Sequence, residues 1–92
     1  MEFQKEPGRI FALGEDGKLL AEITFPAGED GVADIDHTFV DESLRGQGVA
    51  SQLVRAAAEE LRAQGKRAKT SCWYAAQWFE KHPQEQDLLY KE

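Results

Sequence analysis

A glycine-rich turn, Arg45–Ala50, stands between an extended segment and an amphipathic helical pattern. Gly46 and Gly48 permit backbone conformations that other residues avoid, and they let a ligand approach the main chain closely. The helix that follows leaves its first N–H groups unpaired, and its dipole adds partial positive charge there. Such a site suits a phosphate or diphosphate, with Arg45 adding a full positive charge. The residues alone predict an anion site, and a plain turn at a helix start is the alternative.

Cys72 and His37 are the side chains that could act chemically on a bound ligand. Cys72 is expected at a strand end just before a helix, where the dipole favours a thiolate, so it is a candidate nucleophile or acid–base group. A small buried hydrophobic side chain is the alternative. His37 is expected on one strand face with Ala33, Ile35 and Phe39, which favours a core histidine over a general base. One cysteine and two distant histidines predict no metal site.

The last predicted helix has two tryptophans and ends at a histidine. Trp78 falls on its apolar face and is expected in the core. Trp73 could instead border a groove that binds an acceptor substrate. His82, just before Pro83, is expected to be a cation at the helix end, with contact to a cofactor phosphate as the lesser alternative.

Hydrophobic spacing predicts the elements that hold these residues. Three alternating segments predict an antiparallel meander, and the first eight residues predict a loosely held lead-in. A helix, a short strand and a second helix follow, which suggests a right-handed crossover to a parallel strand. The predicted fold is therefore α/β (α+β), with a mixed, mainly antiparallel sheet in the order β-β-β-α-β-α. The predicted bounds are Arg9–Leu13, Lys18–Phe25, Val32–Val40, Val49–Gln64, Arg67–Cys72 and Trp73–Lys81.

Composition sets the broad class of the protein. A chain of 92 residues predicts one domain over residues 1–92. The formal charge of −6 argues against nucleic-acid binding, because phosphate backbones require a basic face. No stretch approaches the roughly 20 apolar residues of a membrane span, and no signal peptide is visible at the N-terminus. We therefore expect a cytoplasmic protein with no membrane partner, as a monomer or weak dimer.

The pattern Arg45-x-x-Gly48-x-Ala50, after a strand and leading a helix, resembles the acetyl-CoA signature of the GNAT superfamily of N-acetyltransferases. Three further segments look like the small single-domain YjdJ-type branch of that superfamily: Ile35–Thr38, Leu44–Val49, and Ser71-Cys72 before an aromatic helix. The resemblance spans roughly residues 19–90. It implies a GNAT-like fold for the whole domain.

The resemblance also implies acetyl-CoA, or coenzyme A, as the cofactor. Backbone amides of the turn would grip the pyrophosphate, and the preceding strand would pair with the pantetheine arm. Phe39 departs from the smaller or polar residue expected there, and it could narrow the pantetheine channel. The implied cofactor-binding residues are Thr38, Phe39, Val40, Arg45, Gly46, Gln47, Gly48, Val49 and Ala50.

Two functions are compatible with the resemblance. The first is an N-acetyltransferase acting on an unidentified small-molecule or peptide amine, either directly or through Cys72. His37 would serve as general base, and a backbone N–H near Phe39 or Val40 would hold the oxyanion. The second is a non-catalytic acyl-CoA-binding or protein-interaction module. It is motivated by the absence, in this small branch, of the N-terminal helices that wall the acceptor side in longer relatives.

Overall fold

Alternating apolar residues build a four-stranded antiparallel sheet in the computed structural model, which describes residues 2–28 and 30–91. The strand order is β1-β2-β3-β5. These strands are Gln4–Glu6 (β1), Arg9–Leu13 (β2), Leu19–Thr24 (β3) and His37–Val40 (β5). The predicted lead-in thus contains a strand, since β1 pairs with β2 through Gln4 and Phe11.

The segment predicted as one strand, Val32–Val40, is two strands that change partner at Asp36. Its first half, β4 (Val32–Ile35), pairs in parallel with β6 (Arg67–Thr70). Its second half, β5, pairs antiparallel with β3. The Asp36 N–H donates to the Thr24 carbonyl at 3.2 Å, so the chain has already left β6 there.

This change of partner reverses the predicted face of His37. Ile35 is fully buried, but the next alternate residues, His37 and Phe39, are exposed. Thr38 and Val40 are half-buried instead. The prediction of a core histidine was therefore wrong, because strict alternation cannot continue through a residue where a strand switches sheets.

The helices lie where the apolar spacing predicts them. Helix α1 (Val49–Ala63) packs on β2, β3, β5 and β6, and α2 (Trp73–Lys81) packs on β6 and α1. Short 3₁₀ helices cover Glu42–Leu44 and Pro83–Leu88. One hydrophobic core joins both sheets to both helices. The predicted mixed, mainly antiparallel α/β fold is confirmed, with two more strands than the sequence suggested.

The C-terminal segment, which follows α2 in the chain, lies beside β6. Leu88 is buried in the core, and Leu89 forms a parallel bridge with Ala68. The Tyr90 N–H donates to the Ala68 carbonyl at 2.8 Å. In the part of the chain that is described, no helix has the length and apolar character needed to cross a membrane.

Candidate active site

A cleft opens where β5 separates from the end of β6. The pairing of β4 with the segment of β6 ends at Cys72, whose N–H donates to the Ile35 carbonyl at 3.0 Å. Beyond that point β5 follows β3, while α2 begins at Trp73. The space between them is about 620 Å³. It brings together six of the predicted site residues: His37, Thr38, Val40, Arg45, Ala50 and Cys72.

The edge of β5 presents backbone groups to this cleft. The Asp41 N–H donates to the Leu20 carbonyl of β3 at 2.8 Å. Because hydrogen-bonded residues alternate along an antiparallel strand, Phe39 also turns its N–H and C=O toward β3. Thr38 and Val40 then direct theirs away from β3. Since β5 is the last strand of its sheet, these groups face the cleft.

The glycine turn closes one end of the cleft. Gly46 and Gly48 have positive φ angles of 82° and 72°, a conformation that favours glycine. A Cβ placed on either one would meet no described protein atom within 4 Å. The space over the turn is therefore open to a ligand, and a recess of about 160 Å³ lined by both glycines and Arg45 lies beside it.

The start of α1 has no side-chain cap. Gly48 occupies the N-cap position without a side chain, and the first turn contains no acidic residue. Within the described residues, no backbone acceptor is found for the N–H groups of Gly48, Val49 and Ala50. The Gln47 N–H does have one, the Leu44 carbonyl at 3.4 Å. An anion at this point would thus meet unpaired donors and the positive end of the helix dipole.

Arg45 is exposed and lines both the cleft and the turn recess. Among the ion pairs of the described chain, none includes Arg45. Its guanidinium is thus available to an anionic ligand at the same place as the helix donors.

Cys72 lines the cleft, half-buried, in the N-cap position of α2. Its Sγ is 3.6 Å from the Thr38 hydroxyl oxygen, within hydrogen-bonding distance for sulfur. This contact connects the two sides of the cleft. It could not be predicted from the sequence, because the two residues lie 34 positions apart.

His37 lines the cleft, and its imidazole, 52% exposed, lies on the strand face that it shares with Phe39. Its Nε2 is 3.4 Å from Glu22 Oε1, and Glu22 also accepts from Arg9 Nε at 2.6 Å. An exposed imidazole at the cleft of Cys72 is compatible with the predicted base role. That role stays a prediction.

The side chain of Phe39, a predicted site residue, turns away from the cleft. It lies opposite Glu22 on the outer face of the sheet, 38% exposed, and is absent from the linings of the cleft and the turn recess. The expected narrowing of the pantetheine channel by its ring therefore does not fit its position. The same change of partner at Asp36 accounts for the difference.

Four cleft residues were not predicted as site residues: Asp36, Ser71, Trp73 and Tyr74. Burial raises the pKa of the Tyr74 hydroxyl above its usual value of 10.0, so the phenol stays protonated at neutral pH. The sequence indicates Trp73 only as a possible border of an acceptor groove. The sequence could have indicated Asp36, Ser71 and Tyr74 as site residues only through their proximity to His37 and Cys72.

Trp78 and His82 lie outside the cleft. Trp78 is 3% exposed, as predicted for the core, and its indole N–H donates to the Ser51 hydroxyl of α1 at 2.9 Å. The His82 ring stacks on Trp78, with Nδ1 2.6 Å from the Trp78 carbonyl oxygen. His82 is absent from the cleft lining. Within the described ranges, no three His, Cys, Asp or Glu side chains converge as metal ligands would.

Sequence comparison relates most of the chain to known proteins. Residues 10–88 match the profile of a family described as GCN5-related N-acetyl-transferase. Protein NATD1 from Bos taurus is 33% identical over 57 residues, which make up 62% of this chain and 50% of that protein. Protein NATD1 from Homo sapiens is 32% identical over 57 residues, again 62% and 50%. The chain thus spans about half the length of the curated relatives it matches.

Solved structures share the fold. An NMR structure of a GCN5-like protein from Staphylococcus aureus is 30% identical, with a TM-score of 0.79 over 99% of this chain and 89% of that one. A Bacillus anthracis protein solved in complex with acetyl coenzyme A has a TM-score of 0.59 at 20% identity, over 84% of this chain and 48% of that one. The second similarity supports the fold alone.

Proposed function

The chain belongs to the GCN5-related N-acetyltransferase family, and from that premise we propose that its cleft binds acetyl-CoA and transfers the acetyl group to an amine. The observation that supports this most is the open glycine turn at the uncapped start of α1, joined to a cleft that contains Cys72. The YjdJ-type subdivision stays a prediction, as does the cytoplasmic location.

The turn suits the pyrophosphate of the cofactor. The N–H groups of Gly48, Val49 and Ala50 are available there, and Arg45 adds positive charge. Gln47 contributes less than the sequence suggested, because its N–H already has the Leu44 carbonyl as acceptor. An acidic protein can bind a strongly anionic group only through such a local site, since its overall charge repels it.

The free edge of β5 suits the pantetheine arm. The amides of the pantetheine arm can pair with the outward N–H and C=O groups of Thr38 and Val40. The arm would then lie along β5 as an added strand lies along a sheet edge. The Val40 N–H is also our candidate for holding the oxyanion, in preference to that of Phe39, which turns toward β3. This pairing would lead the thioester along β5 toward Cys72.

Bound acetyl-CoA supplies a thioester whose carbonyl carbon accepts a nucleophile as the bond to the CoA sulfur breaks. We assign Cys72 Sγ as that nucleophile, because it lies in the cleft at the N-terminus of α2. His37 accepts the proton that the thiol loses, and Tyr74 gives one to the departing sulfur. The amine nitrogen then bonds to the acetyl carbon on Cys72 and the carbon–sulfur bond breaks. The proton that the nitrogen loses restores the Cys72 thiol, and the proton held by His37 returns through solvent to Tyr74.

Intact-mass measurement after mixing with acetyl-CoA tests this route. We expect one added acetyl group in the wild type and in a Glu59→Gln control, at an exposed position of α1, and none in Cys72→Ala. An amine panel followed by release of free CoA thiol then tests transfer. Thiol release by Cys72→Ala at the wild-type rate would replace the covalent route with direct attack. CoA binding without thiol release from any amine would favour a non-catalytic binding module.

A further inference from the structure

The main chain around Cys72, the proposed nucleophile, is anchored to β4. The Cys72 N–H donates to the Ile35 carbonyl at 3.0 Å. Just before it, the Asp34 carboxylate accepts from the Ser71 N–H at 3.0 Å and from the Ser71 hydroxyl at 2.6 Å. Hydrogen bonds to one strand therefore fix the junction between β6 and α2. The freedom that remains at Cys72 is the rotation of its side chain between staggered positions.

The Cys72 sulfur is not held by the start of α2. Cys72 is the N-cap residue of that helix, a position from which a side chain can accept a hydrogen bond from the first helical N–H groups. Within the described chain, Cys72 makes no such side-chain hydrogen bond. The helix dipole still favours a thiolate there, but a directed donor for the sulfur has to come from another element.

Thr38 brings such a donor from β5. Its side chain is half-buried at the cleft, and its hydroxyl oxygen is 3.6 Å from Cys72 Sγ. The strand that holds this hydroxyl is itself held by β3, where Thr38 lies opposite Ile23. A thiol can donate to the hydroxyl, whereas a thiolate can only accept from it. The pair can thus keep its hydrogen bond in both protonation states of the sulfur.

We propose that Thr38 is a positioning residue for Cys72, with a side-chain hydroxyl that donates to the thiolate and holds the sulfur at the cleft. This inference rests on the proposed role of Cys72 as nucleophile. A hydrogen bond to an ionised group is stronger than one between neutral groups, so the contact favours the thiolate, which is the reactive form. Thr38 gains and loses no proton. Its hydrogen bond weakens when the sulfur bonds to the acetyl carbon and loses its charge.

Alkylation by iodoacetamide tests the contact without acetyl-CoA, because the thiolate is the form that reacts. Thr38→Val exchanges the hydroxyl for a methyl group, and Thr38→Ser keeps the hydroxyl. The pH at which alkylation reaches half its maximal rate should rise by about 1–2 units in Thr38→Val. At pH 7 the rate should fall by about threefold to tenfold, since a thiolate without that hydrogen bond is more reactive once formed. Thr38→Ser should stay close to the wild type.

Thr70→Val is the matched control. Thr70 is half-buried at the end of β6, two residues before Cys72, and is absent from the cleft lining. The same exchange at this position should leave the alkylation midpoint at the wild-type pH. The titratable residues around Cys72 are unchanged in every variant: Asp34 beside Ser71, and Asp36, His37, Arg45 and Tyr74 in the cleft lining.

The shape of the pH profile distinguishes this role from a purely structural one. Loss of the hydrogen bond slows Thr38→Val at neutral pH but not at high pH, where every Cys72 sulfur is ionised. A distorted cleft would slow the reaction equally at every pH. An unchanged midpoint in Thr38→Val, or an equal shift in Thr70→Val, would overturn the inference.

Acetylation of Cys72 separates the inference from the proposed function. Thr38→Val should slow the addition of one acetyl group from acetyl-CoA at pH 7 by the same factor as alkylation. CoA affinity should stay at the wild-type value, because the backbone groups of Thr38 are retained. If the alkylation midpoint shifts but the wild type takes up no acetyl group, the Thr38–Cys72 hydrogen bond stands and the proposed transfer fails. If acetylation occurs and the midpoint does not shift, the transfer stands and the inference fails.

Discussion

At the scale of single residues, Gly48 combines two roles that substitution can separate. Its left-handed conformation has a φ of +72°, and Gly17 in the turn after β2 has a φ of +83°. A Cβ on either would meet no described atom within 4 Å. Both positions therefore share the backbone requirement, but only Gly48 lies at the proposed pyrophosphate site.

Gly48→Ala and Gly17→Ala should each lower the free energy of unfolding by about 1 kcal/mol, because L-residues are strained at positive φ. Only Gly48→Ala should weaken CoA binding, by tenfold or more, since its methyl group enters the space over the turn. Chemical denaturation measures the first effect and calorimetric titration with CoA the second. Equal CoA affinity in the two variants would contradict the placement of the pyrophosphate.

Tyr74 offers a second test among single residues. Burial keeps its phenol protonated, so it can supply the proton that the departing CoA sulfur takes. Tyr74→Phe should lower kcat about 10- to 100-fold with little change in the KM for acetyl-CoA. The raised pKa also predicts that wild-type kcat does not fall because of this group until the pH exceeds 10. Steady-state rates across pH measure both, and an unchanged kcat in Tyr74→Phe would exclude the role.

At the scale of elements, one hydrogen bond connects α2 to the first turn of α1, next to the glycine turn. The buried Trp78 indole N–H has the Ser51 hydroxyl as its acceptor. Ser51→Ala leaves that N–H without its partner, which should lower the free energy of unfolding by about 1–2 kcal/mol. Gln52→Ala, at the exposed neighbouring position, is the control and should cost less than half as much. Thermal and urea unfolding of both variants provide the comparison.

The sequence predicted the helices and the glycine turn because their signals are local. Apolar spacing gave the bounds of α1 to within one residue, and Gly46 and Gly48 marked the turn directly. The switch at Asp36 could not be predicted, because strand alternation says which residues share a face only while one partner sheet continues. The side-chain orientations of His37 and Phe39 and the Thr38–Cys72 contact all depend on that switch. They required the tertiary structure.

At the scale of the whole molecule, a cluster of opposite charges connects α1 to the C-terminal segment. Arg62 contacts Asp87 at 2.8 Å and Glu85 at 3.2 Å. Hydrogen bonding to Arg62 lowers the pKa of Asp87 below its usual 3.8. The resulting stability is fully present above pH 3.8 and is lost as the pH falls through the lower folded-state pKa.

Arg62→Gln should therefore reduce the free energy of unfolding at neutral pH and make its decline in acid shallower. Lys81→Gln removes the same charge from an exposed position at the end of α2 and should leave the slope as in the wild type. Urea unfolding between pH 2 and pH 7 gives the slopes. Parallel curves for wild type and Arg62→Gln would show that Asp87 titrates independently of Arg62.

The segment that follows α2 also covers part of a strand edge at which two protein molecules could pair. Strand β6 has β4 on one side, and on the other the Ala68 carbonyl accepts from the Tyr90 N–H. An uncovered strand edge of this kind is a template on which another chain can add a strand. Residues 88–90 occupy part of that edge, and Arg62 fastens the preceding Asp87. We expect the C-terminal segment to oppose edge-to-edge pairing at β6, a role separate from anything that happens in the cleft.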